Sequence, residues 1–500
     1  MNARIRIAAL TSLTMLVALI VASTYWQAWA APDLANKSDN SIQQISEFTI
    51  DRGRIFAANG TTLAKNRIVH ASGKTYYFRR YPLGSLTAAA VGYATQTRSR
   101  AGLERSANDY LTGADQSLAG AIKQIGDRLL GSTIRGSDVY TSLNLDAQRI
   151  ATQALGSNCG AAVAIEPSTG RVLALVTTPT YNPNDVEGHY DRIRNITSPS
   201  CSPASPLLDR ATQGLYPPGS AFKVVTAAAA LDTGRFTPNS SFYDPGYCTE
   251  YGQPVTNFKD QFGPEVFGHL TLATALQDSV NSVFCNIGKA LGMRTLMNYA
   301  RRFGFDQTPP IDLPSDALAI SGLYQRSHQH LRLLSPGQDG KGDPGRTAFG
   351  QDKLLVTPLQ MAIVAATIAN NGKEMRPHLV DRVRRSNGDI VRIRPQTVGQ
   401  PIKPETAMEL TQMMESAVSA GTGQAAQIPG VRVAGKTGTA ENGTGQPNTT
   451  WFISFAPADA PRVAVAVVLQ NQTGTGGTTA APIARQIMQA ILSSAPNSNS

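Results

Sequence analysis

The stretch Tyr216-Pro217-Pro218-Gly219-Ser220-Ala221-Phe222-Lys223, continued by the apolar run from Val224 to Leu231, constrains this chain more than any other. Two prolines and a glycine impose a rigid turn, and the Ala-rich run behind it predicts a buried helix. Ser220 then sits at a helix N-terminus, where unpaired backbone N–H groups face any developing negative charge. Lys223 follows one turn later on the same face, so its amine can reach the Ser220 hydroxyl. A serine needs an adjacent base to act as a nucleophile, and a partly desolvated lysine supplies one. Taken alone, Ser-x-x-Lys describes an N-cap serine beside a solvated lysine just as well.

Two further stretches decide between these readings. One is Asp278-Ser279-Val280-Asn281, inside an apolar helical pattern; the other is Gly435-Lys436-Thr437-Gly438-Thr439. Ser-x-x-Lys, Ser-x-Asn and Lys-Thr-Gly in this order resemble the active-site signatures of the penicillin-binding proteins and serine β-lactamases. The third has a rival, because Gly430 to Thr437 also spells the phosphate-loop pattern Gly-x4-Gly-Lys-Thr. That loop needs a strand before its first glycine and a helix after its lysine. Here Val431-Arg432-Val433-Ala434 itself reads as the strand, and the Gly- and Thr-rich residues after Thr437 make a poor helix. Nucleotide binding is set aside on that inverted context. As an edge strand beside a cleft the stretch makes chemical sense: Lys436 brings positive charge, Thr437 and Thr439 bring hydroxyl donors for a carboxylate, and Gly438 permits close approach. Ser38-Asp39-Asn40 copies the second motif literally, but it precedes the nucleophile by a whole domain and has no helical context.

Residues Ile7 to Tyr25 carry no charge, which is about the ~20 residues a bilayer-spanning helix requires. Arg4 and Arg6 precede them and keep the N-terminus cytoplasmic, while Trp26 and Trp29 fall where an interfacial belt belongs. Ala28-Trp29-Ala30 resembles a signal-peptide cleavage site, but the apolar stretch outruns a signal core and favours a retained anchor. Five hundred residues at 41% hydrophobic content allow two extramembrane domains. The net charge of +10 is spread without a basic block, which suits anionic wall polymers and argues against nucleic acid. Four cysteines, Cys159, Cys201, Cys248 and Cys285, leave three full pairings open, and Cys285 in its apolar helical pattern reads as a buried thiol. No spacing matches a metal site, and His328 and His330 read as solvated loop residues.

Upstream, Asp51 to Ala64 reads as a strand, an Asn59-Gly60 turn and a second strand. Tyr81-Pro82 opens a turn, and Gly102-Leu103-Glu104 starts a short helix ending near Gly113. These segments resemble the pedestal motifs of class B penicillin-binding proteins, with Ala57 and Ala58 in place of the usual Asp-Arg pair. Arg52, Glu104 and Arg105 are expected to be structural pairing residues. The pedestal is too short for a glycosyltransferase domain.

Gly160–Pro167 and Val172–Val176 form a hairpin pattern, expected as central strands of an antiparallel sheet. Glu166 lies in that hairpin, before Ser220, and cannot be assigned the deacylating role of a β-lactamase glutamate. Residues 317–345 read as irregular, with a Pro358-initiated helix beyond them through Ala369. Asp352 stands where the family usually has glycine. A helix from Ala407 to Ala420, strands at Trp451–Phe455 and Arg462–Leu469, and a closing helix from Pro482 to Leu492 complete the pattern.

The resemblance covers nearly the whole exported chain and is strongest to short actinobacterial class B members. It implies an α+β penicillin-binding/serine β-lactamase-like fold, an antiparallel sheet with helices, behind a transmembrane helix and a small mixed pedestal. The expected division is a cytoplasmic tail 1–6, an anchor 7–29, a linker and pedestal 30–148, a transpeptidase domain 149–493 and a disordered tail 494–500. It further implies D,D-transpeptidase activity that cross-links peptidoglycan stem peptides, with β-lactams as inhibitors. Ser220 would attack, Lys223 would take its proton, Ser279 would relay a proton to the leaving group and Asn281 would hold Lys223 and the substrate. Lys436, Thr437 and Thr439 would hold the terminal carboxylate, and Gly438 would let the substrate approach closely. The implied partners are the stem peptides, β-lactams and a SEDS-family glycan polymerase, with no cofactor, metal or nucleic acid. The motifs leave open a D,D-carboxypeptidase and an anchored β-lactam sensor or β-lactamase.

Overall fold

The computed structural model describes residues 2–25, 48–71, 73–114, 135–196, 198, 201, 203–260, 263–327, 330–441 and 446–494. Trp26, Trp29, the Ser38-Asp39-Asn40 copy, His328 and the tail beyond Ser494 lie outside the described residues. Helix α1 (Asn2–Tyr25) includes the one segment among the described residues, Arg6–Tyr25, that is long and apolar enough to cross a membrane. At ~1.5 Å per residue it covers about the thickness of a bilayer's hydrocarbon core.

Strand β1 (Ile55–Phe56) turns at Asn59-Gly60, with Gly60 at φ +82°, into β2 (Thr62–Ala71), which pairs in turn with β3 (Lys74–Arg80). The predicted short helix is two turns, Gly102–Ser106 and Asn108–Thr112, closed by Gly113 in the left-handed region. Strand β4 (Asp138–Thr141) runs parallel to β1, and β5 (Gly160–Ile165) and β6 (Val172–Thr178) form the predicted hairpin. A single 3₁₀ turn, Gly219–Phe222, leads into α2 (Lys223–Asp232), buried at every position. Next come α3 (Asn281–Arg302) and α4 (Pro358–Ala369), the latter capped by the Thr357 side chain. Strands β7 (Val380–Arg384) and β8 (Ile390–Arg392) precede α5 (Pro404–Ser419). Strands β9 (Ala434–Ala440), β10 (Asn448–Ala456) and β11 (Val463–Gln472) lead into α6 (Gly476–Ser493).

Two sheets result. The first has the order β8-β7-β4-β1-β2-β3, so β7 and β8 leave the second half of the chain to extend the pedestal. The second has the order β9-β10-β11-β5-β6. Alternate residues of β11 serve two cores: Ala464, Ala466 and Val468 pack with α4, while Val463, Val465 and Val467 pack with α6. Coverage on both faces explains why these strands read as continuous apolar runs.

Several expectations shift. The β5–β6 hairpin is not central, since β6 is the sheet edge and β5 stands next to it. A strand covered on both faces looks alike in sequence at either place. Strand β9 begins at Ala434, where pairing with Phe455 begins, not at Val431. Helix α6 starts at Gly476 behind a Thr475–Thr478 capping box, leaving Pro482 inside it. The span expected to be irregular contains a hairpin, Gly322–Ser327 with His330–Leu333. All four cysteines are bonded, Cys159 to Cys201 and Cys248 to Cys285, so Cys285 is not a free thiol. Its helical pattern could not reveal that the Tyr247–Glu250 strand docks on α3.

Candidate active site

The turn before Ser220 is held from two sides. Tyr216 exchanges backbone hydrogen bonds with Val356 at 3.0 and 2.9 Å, and the Gly219 N–H donates to the Gly350 carbonyl at 3.0 Å. Gly219 and Gly350 have φ of +52° and +81°, and a Cβ on Gly350 would stand 1.9 Å from the Gly219 oxygen. From β10, the Trp451 indole N–H donates to the Pro217 carbonyl at 2.9 Å. Gly438 completes the clamp: a Cβ there would come within 2.6 Å of the Pro218 oxygen and 3.0 Å of the Ala221 nitrogen. Its missing side chain lets β9 lie directly against the nucleophile turn.

Lys223, the first residue of α2, is fully buried. Its amine donates to the Ser279 carbonyl at 2.6 Å and to Asn281 Oδ1 at 2.8 Å, and lies 3.3 Å from Ser279 Oγ. Ser279 is not inside a helix, as the sequence pattern predicts. It occupies the break between the Leu272–Gln277 helix and α3, at φ +62°. Such a backbone costs on the order of 1 kcal/mol or more for a non-glycine residue. The break places both the carbonyl and the hydroxyl of Ser279 against Lys223. Asn281 is the first residue of α3, and its amide donates to the Thr256 carbonyl at 3.2 Å.

A buried carboxylate supports this break. Asp244 accepts from the Ser282 hydroxyl at 2.5 Å, the Gly246 N–H at 2.8 Å, the Asn257 amide at 2.8 Å and the Phe267 N–H at 2.9 Å. Asn257 Oδ1 accepts in turn from the Ser282 N–H at 2.9 Å. The Cys248–Cys285 disulfide joins the hairpin carrying Thr256 to α3, one turn beyond Asn281. Asp244, Thr256 and Asn257 escape sequence reasoning, because Asp244-Pro245-Gly246 signals only a turn.

Lys436 is also fully buried, with its amine 3.1 Å from the Thr437 carbonyl. Burial lowers it to about 7, against an opposing pull from Asp278. Burial first, and the Lys436 charge second, push Lys223 well below the ordinary lysine range. Neither amine forms an ion pair among the described residues. The Thr437 and Thr422 hydroxyls meet at 2.6 Å, and Thr439 Oγ1 accepts from the Gly476 N–H at 3.1 Å, leaving its own proton to donate. The structure therefore brings Ser220, Lys223, Ser279, Asn281, Lys436, Thr437, Gly438 and Thr439 around one site. Glu166 stays away, in the β5–β6 turn, accepting from the Thr169 hydroxyl 3.8 Å from Arg171. Among the described residues, no group of three or more His, Cys, Asp or Glu side chains could hold a metal.

Comparison with known proteins agrees with this geometry. Residues 160–489 match the penicillin binding protein transpeptidase domain, and residues 52–139 match the penicillin binding protein A dimerisation domain. The peptidoglycan D,D-transpeptidase PbpA of Mycobacterium tuberculosis is 34% identical over 99% of this chain and 100% of its own length. PbpA of Mycolicibacterium smegmatis is 34% identical over 98% and 99%. The ceftriaxone acyl-enzyme complex of penicillin-binding protein A from M. tuberculosis superposes with a TM-score of 0.78 at 34% identity, covering 90% of this chain and all of that one. With its three motifs converged and both domains matched, the chain belongs to the penicillin-binding protein transpeptidase family.

Proposed function

We propose that this chain is a peptidoglycan D,D-transpeptidase that cross-links stem peptides through an acyl-Ser220 intermediate and is inhibited by β-lactams. The observation that carries the reading is the buried Lys223 amine, depressed in basicity and held one turn from Ser220 by Ser279 and Asn281. A neutral amine has two N–H donors and one lone pair. The Ser279 carbonyl and Asn281 Oδ1 take the two donors, which leaves the lone pair for a proton.

Lys223 takes the Ser220 proton as Oγ attacks the carbonyl of the penultimate D-Ala. Backbone N–H groups of Ser220 and Thr439 receive the oxyanion, each worth about 3 kcal/mol in comparable sites. The peptide C–N bond then breaks, and the departing D-Ala amine takes a proton relayed through Ser279. Lys436, Thr437 and Thr439 hold the terminal carboxylate, and Asn281 steadies Lys223 and the substrate amide. An amine from a second stem attacks the ester, the Ser220 C–O bond breaks, and the proton returns to Ser220 by way of Lys223. β-Lactams present the same carbonyl and carboxylate and stop at the ester.

The apolar segment Arg6–Tyr25 supports a single-pass anchor in the cell membrane, with Arg4 and Arg6 cytoplasmic and the catalytic domain outside. On this reading the chain divides into tail 1–6, anchor 7–29, linker and pedestal 30–148, transpeptidase domain 149–493 and tail 494–500. A SEDS-family glycan polymerase is the expected membrane partner, supported by the class B pedestal; failure to co-purify in gentle detergent would count against it. Fluorescent penicillin tests the central reading. Wild type labels and Ser220→Ala does not; equal labelling would overturn the nucleophile. Incubation with a stem peptide and an acceptor amine should yield the cross-linked product in excess of the hydrolysed one.

A further inference from the structure

A cavity of about 240 Å³ opens where the pedestal meets the catalytic half, between the Asn108–Thr112 turn, Asp312 and the segment from Arg376 to Gln396. Its walls are rich in donors. His378 is only 5% exposed, and its Nδ1 is committed to the Arg376 carbonyl at 3.2 Å. Nε2 has no hydrogen-bond partner among the described residues, and the ring lies within electrostatic reach of the Asp312 carboxyl in the same wall. Among the described residues the Arg376 side chain hydrogen-bonds only to neutral oxygens, Pro310 O at 2.9 Å and Gln396 Oε1 at 3.1 Å. Arg394, on the rim, makes no ion pair among the described residues. The one carboxylate in the wall, Asp312, is occupied: its oxygens accept the Leu379 and Val380 N–H groups at 2.7 and 2.6 Å. Val380 and Ile393 supply an apolar floor.

We propose that this cavity is a second binding site, for the carboxylate end of a short peptide. Two guanidiniums with no ion pair among the described residues line, with His378, a space with room for more than a lone ion, and the Asp312 carboxyl in that wall already accepts two backbone N–H groups. Guanidinium recognises carboxylate in a bidentate geometry, and the apolar floor suits a small side chain such as a methyl group. That the peptide is a D-Ala-terminated stem rests on the transpeptidase reading; the carboxylate chemistry does not. The site also joins the two sheets. The His378 backbone pairs with Gly170 and Val172 at the β6 edge, while Val380, two residues on, begins β7 of the pedestal sheet.

The test uses full-length protein in detergent, first acylated by penicillin so that the Ser220 cleft is filled. A missing mass adduct at this step would defeat the Ser220 reading and leave the cavity to be judged by its own variants. Diacetyl-Lys-D-Ala-D-Ala and its C-terminal amide are then titrated by calorimetry. The acid should bind saturably, with the amide at least about tenfold weaker, and Arg376→Gln/Arg394→Gln should weaken the acid by about tenfold or more at an unchanged melting temperature. His378→Gln should weaken it less. Equal affinity for acid and amide, an unaffected double variant, or no saturable binding would overturn the site. Acetate competing as well as the peptide would overturn the peptide assignment. The acid–amide comparison needs no variant and stands if a substitution unfolds the protein.

Discussion

Two regions of this molecule bury charge, and they do it in opposite ways. In the pedestal, Glu104 is fully buried between two arginines: Arg52 Nε lies 2.8 Å from one oxygen and Arg79 Nε 2.6 Å from the other. Arg52 also bonds Asn108, and Arg79 bonds Asn66 and the Gly53 carbonyl. Burial alone would raise the Glu104 carboxyl, but Arg79 and Arg52 outweigh it and hold the group below its ordinary value. In the cleft, Lys223 and Lys436 are equally buried, and among the described residues neither has a carboxylate in an ion pair. Their pKa values fall instead. The pedestal compensates its buried charge and gains a fixed joint between distant segments. The cleft leaves its charges uncompensated and gains a base that can accept a proton near neutrality.

This contrast can be broken by substitution. Lys223→Ala should slow penicillin acylation by about 10⁴-fold, the upper end for loss of a general base, and cost only about 1–3 kcal/mol of stability by leaving the Ser279 carbonyl and Asn281 Oδ1 without their donor. A large loss of stability with little loss of rate would make the cleft lysine a structural group like Glu104. Glu104→Gln should do the reverse, costing about 3–5 kcal/mol in denaturant unfolding by stranding two arginines, while the folded fraction still acylates. Asp244→Asn should cost about 1–3 kcal/mol and shift the pH profile of acylation, because Asn281 loses its support and Lys223 a partner. An unchanged profile would show that the Asp244 network steadies the fold alone.

The pH dependence sharpens the comparison. Acylation should rise as Lys223 loses its proton and fall as pH passes about 7, where Lys436 loses the charge that attracts a carboxylate. For stability the sign is opposite. The unfolded chain keeps the Lys436 proton up to about pH 10.4, so the native state should gain stability from about pH 7 upward, and Lys436→Met should flatten that rise. At the small end, the exposed Arg105–Asp316 pair at 2.7 Å should be worth less than about 1 kcal/mol when Arg105 becomes Ala. Arg105 was expected to be a pairing residue, and it is one, but on the surface.

Local patterns carried much of this architecture. The Asn59-Gly60 turn, the β5–β6 hairpin, the Pro358 helix and the apolar β10 and β11 were legible because turn chemistry and burial leave marks within a few residues. The helix break at Ser279 was not. Its flanks, Ala275-Leu276 and Val283-Phe284, read as one continuous apolar pattern, while the break is held by Lys223 on one side and by Asp244 and Asn257 on the other, contacts remote in sequence. The pairing of β7 with β4, the Asp244 network and both disulfides join segments far apart in sequence, where no local pattern applies.

By itself, the sequence determined which residue types were available for acyl transfer, in what order, and behind what length of apolar helix. Side-chain chemistry and hydrophobic periodicity are properties of the chain. Only the tertiary structure decided that Lys223 and Lys436 would share one dry pocket and lose basicity there, and that Gly438 would be needed against Pro218. Desolvation and steric contact depend on what lies next to a residue in space, and that is settled only when the sheets and helices close over it.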